Sequence, residues 1–93
     1  MRIDELIWDD WNEEHIARHG VSAVEVEEVV FDPASAFFRT GRDHALRYIV
    51  LGLTEVGRYL FVVVEPLSGR RAYVVTARDM TDGETGRFKG RRR

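Results

Sequence analysis

Tyr59-Leu60-Phe61-Val62-Val63-Val64-Glu65 is the stretch on which the architecture turns. Successive side chains of a strand point to opposite faces, so a strand with one wet face alternates apolar and polar residues. From Tyr59 to Val64 both alternating sets are apolar, which predicts a central strand covered on both sides. The run is also far too short to cross a bilayer. Upstream, Glu55-Val56-Gly57-Arg58 reads as a turn and Leu46 to Leu53 as the preceding strand. Downstream, Pro66-Leu67-Ser68-Gly69 turns the chain into a strand from Arg71 to Ala77. Ala36 to Arg39 is a weaker strand, followed by a turn at Gly41-Arg42-Asp43. Turns this short imply an antiparallel meander.

Helices flank the strands. Asp10 is placed to cap a first helix, with Glu13 at the capping-box position, and Gly20 is its stop. Trp8, Trp11, His15, Ile16 and His19 recur at helical spacing, with the two tryptophans read as core anchors. A second helix starts at Ser22, with Glu25 completing a capping box and Val21 and Val26 a hydrophobic staple. It should reach about Phe31 and end before Pro33. Thr81 and Glu84 cap a third helix, which Gly83 and Gly86 weaken by about 1 kcal/mol each relative to Ala. That helix is expected to be short or frayed. The expected fold is α+β, with two N-terminal helices, an antiparallel three- to four-stranded sheet and a short C-terminal helix. Residues 1–90 form a single domain, and 91–93 a basic tail.

The 93 residues allow one core, and the absence of cysteine excludes disulfides, thiolate metal sites and a Cys nucleophile. Met1-Arg2-Ile3-Asp4-Glu5-Leu6 has no apolar signal core, which together with the cysteine count points to the cytoplasm and away from membranes. The net charge of −2 hides a split: residues 1–34 sum to −8 and residues 35–93 to +6. Either one part of the chain meets an anion or the two halves complement each other. Thirteen of the fourteen basic residues are Arg, whose planar fork suits phosphate oxygens, though a GC-rich genome has the same effect.

Arg47, Arg58, Arg71 and Arg78 all fall on or beside the predicted sheet, mostly near strand ends. Arg58 opens the central strand. Alternation places Arg47 with Ile49, Leu51 and Leu53, Arg71 with Tyr73 and Val75, and Arg78 just past a strand end in line with Ala72, Val74 and Thr76. Such a rim is a platform for a phosphodiester backbone, or a set of solvated charges that discourage edge pairing. His15 and His19 stand four apart on one helix, a spacing that can hold a metal, but no third ligand accompanies them. His19 can cap helix carbonyls or serve as an acid or base. Ser22 and Ser68 have no base partner, no phosphate loop is present, and Glu13, Glu14, Glu25, Glu27 and Glu28 read as solvated helix faces. No cofactor or metal is expected.

Several motifs together resemble one family. Trp8-Asp9, Asn12 and Arg18-His19-Gly20-Val21 are similar to the Trp-Asp, Asn and Lys-His-Gly-Val opening of BrnT proteins. Val29 to Pro33, Arg47 to Gly52, Gly57 to Val64, Arg71 to Arg78, and Met80-Thr81 with Glu84 and Phe88 resemble the later motifs in order and spacing. BrnT proteins are type II toxins with a RelE-like ribonuclease fold. The resemblance implies metal-free RNA cleavage by attack of the RNA's own 2′-hydroxyl, and inhibition of translation. It implies a BrnA-like ribbon-helix-helix antitoxin, typically in a heterotetramer that meets operator DNA only through the antitoxin. Arg58 and Arg78, then Arg47, are the arginines expected to stabilise phosphate charge, with His19 assisting proton transfer. Arg71, Arg18 and Glu84 are further RNA-contact candidates. Three positions depart from the pattern: the family Lys is Arg18, its Glu before the strand Arg is Leu46, and its late Tyr is Phe88. These departures motivate an alternative, a catalytically weak or inactive module that binds an antitoxin or RNA.

Overall fold

A computed structural model describes residues 2–41 and 46–91. The elements run β1 (Glu5–Ile7), α1 (Asp10–Ala17), α2 (Ala23–Val30), β2 (Ala36–Thr40), β3 (Arg47–Leu53), β4 (Tyr59–Leu67), β5 (Arg71–Asp79) and α3 (Asp82–Arg91). The strands form one sheet in the order β1-β5-β4-β3-β2, which puts β4 at its centre as its apolar faces require. Most of the turn expected at Gly41-Arg42-Asp43 lies outside the described residues.

Leu60, Val62 and Val64 of β4 point to one face and pack with Ile16 of α1 and Val26, Val29 and Val30 of α2. Tyr59 and Phe61 point to the other, where Leu51, Ala36 and Phe88 of α3 form a second, smaller core. The sheet is therefore sandwiched between α1/α2 and α3. Gly52 sits where a Cβ would meet Val29 Cγ1 at 2.9 Å and clash with Ser35 Oγ, so glycine is what lets α2 lie close on β3.

The structure departs from the meander in two ways. β1 adds to the edge of β5 in parallel, with Glu5, Leu6 and Ile7 opposite Arg71, Ala72 and Tyr73. A three-residue strand carries too little pattern to be read from sequence. In β5, Val63 faces Thr76 while Val64 faces Val74, so Val75 is a bulge. One extra residue swaps the faces beyond it. Ala77 is thus buried with α1 and α2, and Arg78 faces α3 opposite Phe61, inside the strand and not in line with Ala72 and Val74 as simple alternation implied.

Local signals held in part. Ser22 and Glu25 form the expected capping box. For α1 the cap is Asp9, with Asn12 as its reciprocal partner, in place of Asp10 and Glu13. Asn12 is fully buried, and its amide also donates to Ile7 O and Val74 O at 3.0 and 3.1 Å. The need to satisfy the open edge of β5 outweighs the generic cap pattern. Trp8 is half-buried with its indole N–H on Glu27, but Trp11 is 62% exposed and anchors no core. β4 continues through Pro66, where β3 no longer pairs with it, so the missing N–H costs no ladder bond on that side. α3 has its Thr81–Glu84 box but runs ten residues, through Arg91, because buried Phe88 pins it. Among the described residues no helix is long and apolar enough to span a membrane.

Candidate functional site

One corner of the sheet, where β4 begins and β5 ends, gathers most of the fixed charge. The turn into β4 is closed by the Thr54 N–H on Arg58 O at 2.9 Å and by the Arg58 N–H on Thr54 Oγ1 at 3.0 Å. Arg58 then reaches across three segments. Its Nε donates to Asp79 Oδ1 at 2.7 Å, and its Nη1 donates to Gly20 O at 2.8 Å and to both Glu25 oxygens at 3.2 Å. The Asp79 carboxylate above all, with Glu25 behind it, holds the guanidinium proton more tightly than usual. In return Arg58 holds Asp79 below the usual carboxylate range. Glu25 is lowered by the Ser22 backbone N–H first and by Arg58 after it.

Asp79 joins this clamp to a second arginine on the opposite face. Arg78 Nη1 donates to Asp79 O at 3.0 Å and to Glu84 Oε1 at 2.8 Å, while Nη2 donates to Glu84 Oε2 at 3.0 Å. The guanidinium lies 3.8 Å above the centre of the Phe61 ring. Glu84 is itself fixed by the Thr81 N–H at 2.9 Å. Arg78 is the first cause of its lowered pKa, and Glu84 raises that of Arg78. An arginine has five N–H donors. Three of those on Arg78 are engaged, and among the described residues no acceptor meets Nε or the second hydrogen of Nη2. Those two N–H groups lie side by side, the edge that grips an oxyanion bidentately. Arg58 keeps only Nη2, a single nitrogen.

The other arginines do not converge on this corner. Arg47 shares the α3 face but starts β3 at the far end, about 16 Å from Arg78 by strand rise and spacing. Its Nε is buried with no hydrogen-bond partner. Arg71 begins β5, seven residues from Arg78, with Nε on Ser68 O at 3.1 Å. Arg18 and His19 lie in the exposed turn after α1, next to the Gly20 carbonyl that Arg58 holds. His15 and His19 meet edge to face at 5.5 Å. Among the described residues no group of three or more His, Cys, Asp or Glu converges as a metal site.

Three of the glutamates read as solvated faces have specific tasks: Glu25 in the clamp, Glu27 on Trp8, and Glu28 accepting the Glu55 N–H at 3.1 Å. Asp79 was missed in the sequence, because it stands in no local motif, and the bulge that aims Arg78 has no signature of its own.

A model of the family described as the ribonuclease toxin BrnT of type II toxin–antitoxin systems matches residues 8–84. The chain belongs to this family. The crystal structure of the Brucella abortus ribonuclease toxin BrnT has the same fold, with a TM-score of 0.65, 21% identity, and coverage of 84% of this chain and 97% of that one. A comparison with curated proteins finds no match. Within the BrnT fold the departures can be placed. Phe88 is buried at 1% exposure with its ring edge-on to Tyr59 at 6.1 Å, in the smaller core under α3. Leu46 is 39% exposed beside Arg47, on the rim far from the Arg58–Arg78 corner.

Proposed function

We propose that this BrnT-family chain is an endoribonuclease toxin that cuts RNA without a metal, by attack of the 2′-hydroxyl on the adjacent phosphorus. The observation that carries this reading is the free Nε/Nη2 edge of Arg78, on a guanidinium fixed from behind by Glu84 and from below by Phe61. A preorganised fork of this kind stabilises the charge that grows on phosphate oxygens as the fifth bond forms. Glu84 orients Arg78, and Arg58 adds its free Nη2 and its charge from the same corner. Arg47 and Arg71, at the other end of the sheet, hold flanking phosphates, while Arg18 and His19 meet the RNA beside Gly20. The chain acts in the cytoplasm, where cleavage blocks translation. A BrnA-like ribbon-helix-helix antitoxin neutralises it, in a heterotetramer that touches operator DNA through the antitoxin.

A second reading is a non-catalytic module that binds antitoxin or RNA, and it draws on the fact that both corner arginines are already ion-paired within the chain. One experiment separates the two. The purified chain is incubated in EDTA with single-stranded RNA, with and without ribosomes, beside an oligonucleotide carrying a single 2′-deoxy substitution at the cut. The ribonuclease reading expects a 2′,3′-cyclic phosphate product, no cut at the deoxy position, and a loss of about 10²-fold or more in Arg78→Ala. Intact RNA with a folded parent supports the binding module.

A further inference from the structure

We propose that His15 is the general base of the cleavage reaction, with Thr76 holding its Nε2; this rests on the ribonuclease reading above. The case starts from α1. Beyond Tyr73, β1 no longer pairs with β5, and α1 lies along that open edge, tied to it by Asn12 on Val74 O. From this position the His15 ring reaches Thr76, with Nε2 3.0 Å from Thr76 Oγ1. Two further groups fix the imidazole plane. Trp11 stacks on it at 5.1 Å with the rings 4° from parallel, and His19 meets its edge. Trp11 is 62% exposed, and its ring stacks on His15.

The bulge at Val75 gives this contact its meaning. It puts Thr76 on the face of β5 that carries Arg78, two residues further on and about 7 Å along the strand. Thr76, which His15 contacts, therefore shares a face of β5 with Arg78, whereas His19 sits in the turn with its ring held by no hydrogen bond among the described residues. In the tautomer that this role requires, Nε2–H donates to Thr76 Oγ1 and the lone pair is on Nδ1, where no described residue makes a hydrogen bond. Nδ1 takes the proton of the 2′-hydroxyl as the 2′-oxygen bonds to phosphorus. The bond from phosphorus to the 5′-oxygen breaks, that oxygen leaves with the electron pair and takes a proton from water, and the imidazolium returns its proton to the hydroxide formed. The products are a 2′,3′-cyclic phosphate and a 5′-hydroxyl, and Arg78 holds the non-bridging oxygens throughout.

The test is single-turnover cleavage of a 5′-labelled single-stranded RNA, alone and with purified ribosomes, by the full chain and three variants. His15→Ala is expected to be about 10²-fold slower or more, with unchanged melting, and added imidazole to restore much of the rate. His15→Gln retains a donor for Thr76 but has no base, and is expected to be equally slow without rescue. Thr76→Val is expected to lower the rate with little effect on KM. Undiminished cleavage by His15→Ala, or a loss that imidazole does not repair, overturns the role of His15 while leaving the ribonuclease reading in place. A folded parent that cuts no RNA overturns both.

Discussion

Arg58 shows how one side chain can be both a candidate site residue and a structural tie. It clips the turn after α1, the first turn of α2 and the end of β5 to the start of β4. Its removal takes a donor from Asp79 and the Gly20 carbonyl and leaves Glu25 with Ser22 alone. Arg58→Ala should therefore cost about 2–3 kcal/mol and lower the melting temperature by roughly 10 °C, read by thermal unfolding. Arg78→Ala, whose contacts are with Glu84, the neighbouring Asp79 carbonyl and a ring, should melt closer to the parent, and so reports on chemistry more cleanly. The same carboxylates set an acid limit. Glu25, Asp79 and Glu84 all bind protons more weakly in the folded chain than their ordinary values of 4.5, 3.8 and 4.5. A lowered folded pKa means that the ion pairs contribute fully above those ordinary values and are lost as pH falls through the lowered ones. Melting temperature is expected to hold from neutral pH down to about 5 and then fall, and Glu84→Gln should flatten part of that fall. At this scale the sequence was readable for the arginines as a class. It could not say which were free, because that depends on Asp79 and Glu84 arriving from a distant turn of the chain.

Among the elements, α3 and β5 are the ones whose reading changed most. Two glycines argued for a frayed α3, yet Phe88 is buried, and Arg87 and Arg91 lie 3.8 and 5.0 Å from the Phe38 ring centre. Tertiary packing outweighs propensity here. The propensity cost remains, and it is removable: a Cβ on Gly86 meets nothing within 4 Å. Gly86→Ala should stabilise the chain by about 0.5–1 kcal/mol, seen as a higher denaturant midpoint with no change in m-value. β5 illustrates the opposite limit. Its apolar alternation correctly identified a strand, but alternation assumes that no residue is extra. Val75 breaks that assumption, and with it the assignment of Arg78 to a face. Helix starts were legible where a capping box was complete, at Ser22 and Thr81, and misplaced by one residue at Asp9, where the buried Asn12 decides.

Over the whole molecule, the charge split follows the layers. α1 and α2 carry Asp10, Glu13, Glu14, Glu25, Glu27 and Glu28, while the opposite face of the sheet and α3 carry Arg47, Arg78, Arg87, Lys89 and Arg91 against Asp82 and Glu84. The complementing reading of that split is realised at Arg58–Glu25, which joins the two halves of the chain. RNA bound on the basic side should weaken with salt, with log affinity falling by about 0.7 per phosphate contact for each unit of log salt. Arg71→Ala should reduce that slope by about one contact, measured by fluorescence anisotropy with a non-cleavable 2′-deoxy oligonucleotide. Layering and strand count were largely legible from periodicity, but the parallel β1 was not. That strand has a consequence for the newborn chain. Its only sheet partner begins at Arg71, so the edge of the sheet, and the acceptor carbonyl of Val74 that Asn12 needs, do not exist until most of the protein has left the ribosome. Local helix formation can start early, but closing a loop from Glu5 to Arg71 comes late. The segment that carries His15 is thus docked among the last, once β5 is in place to receive it.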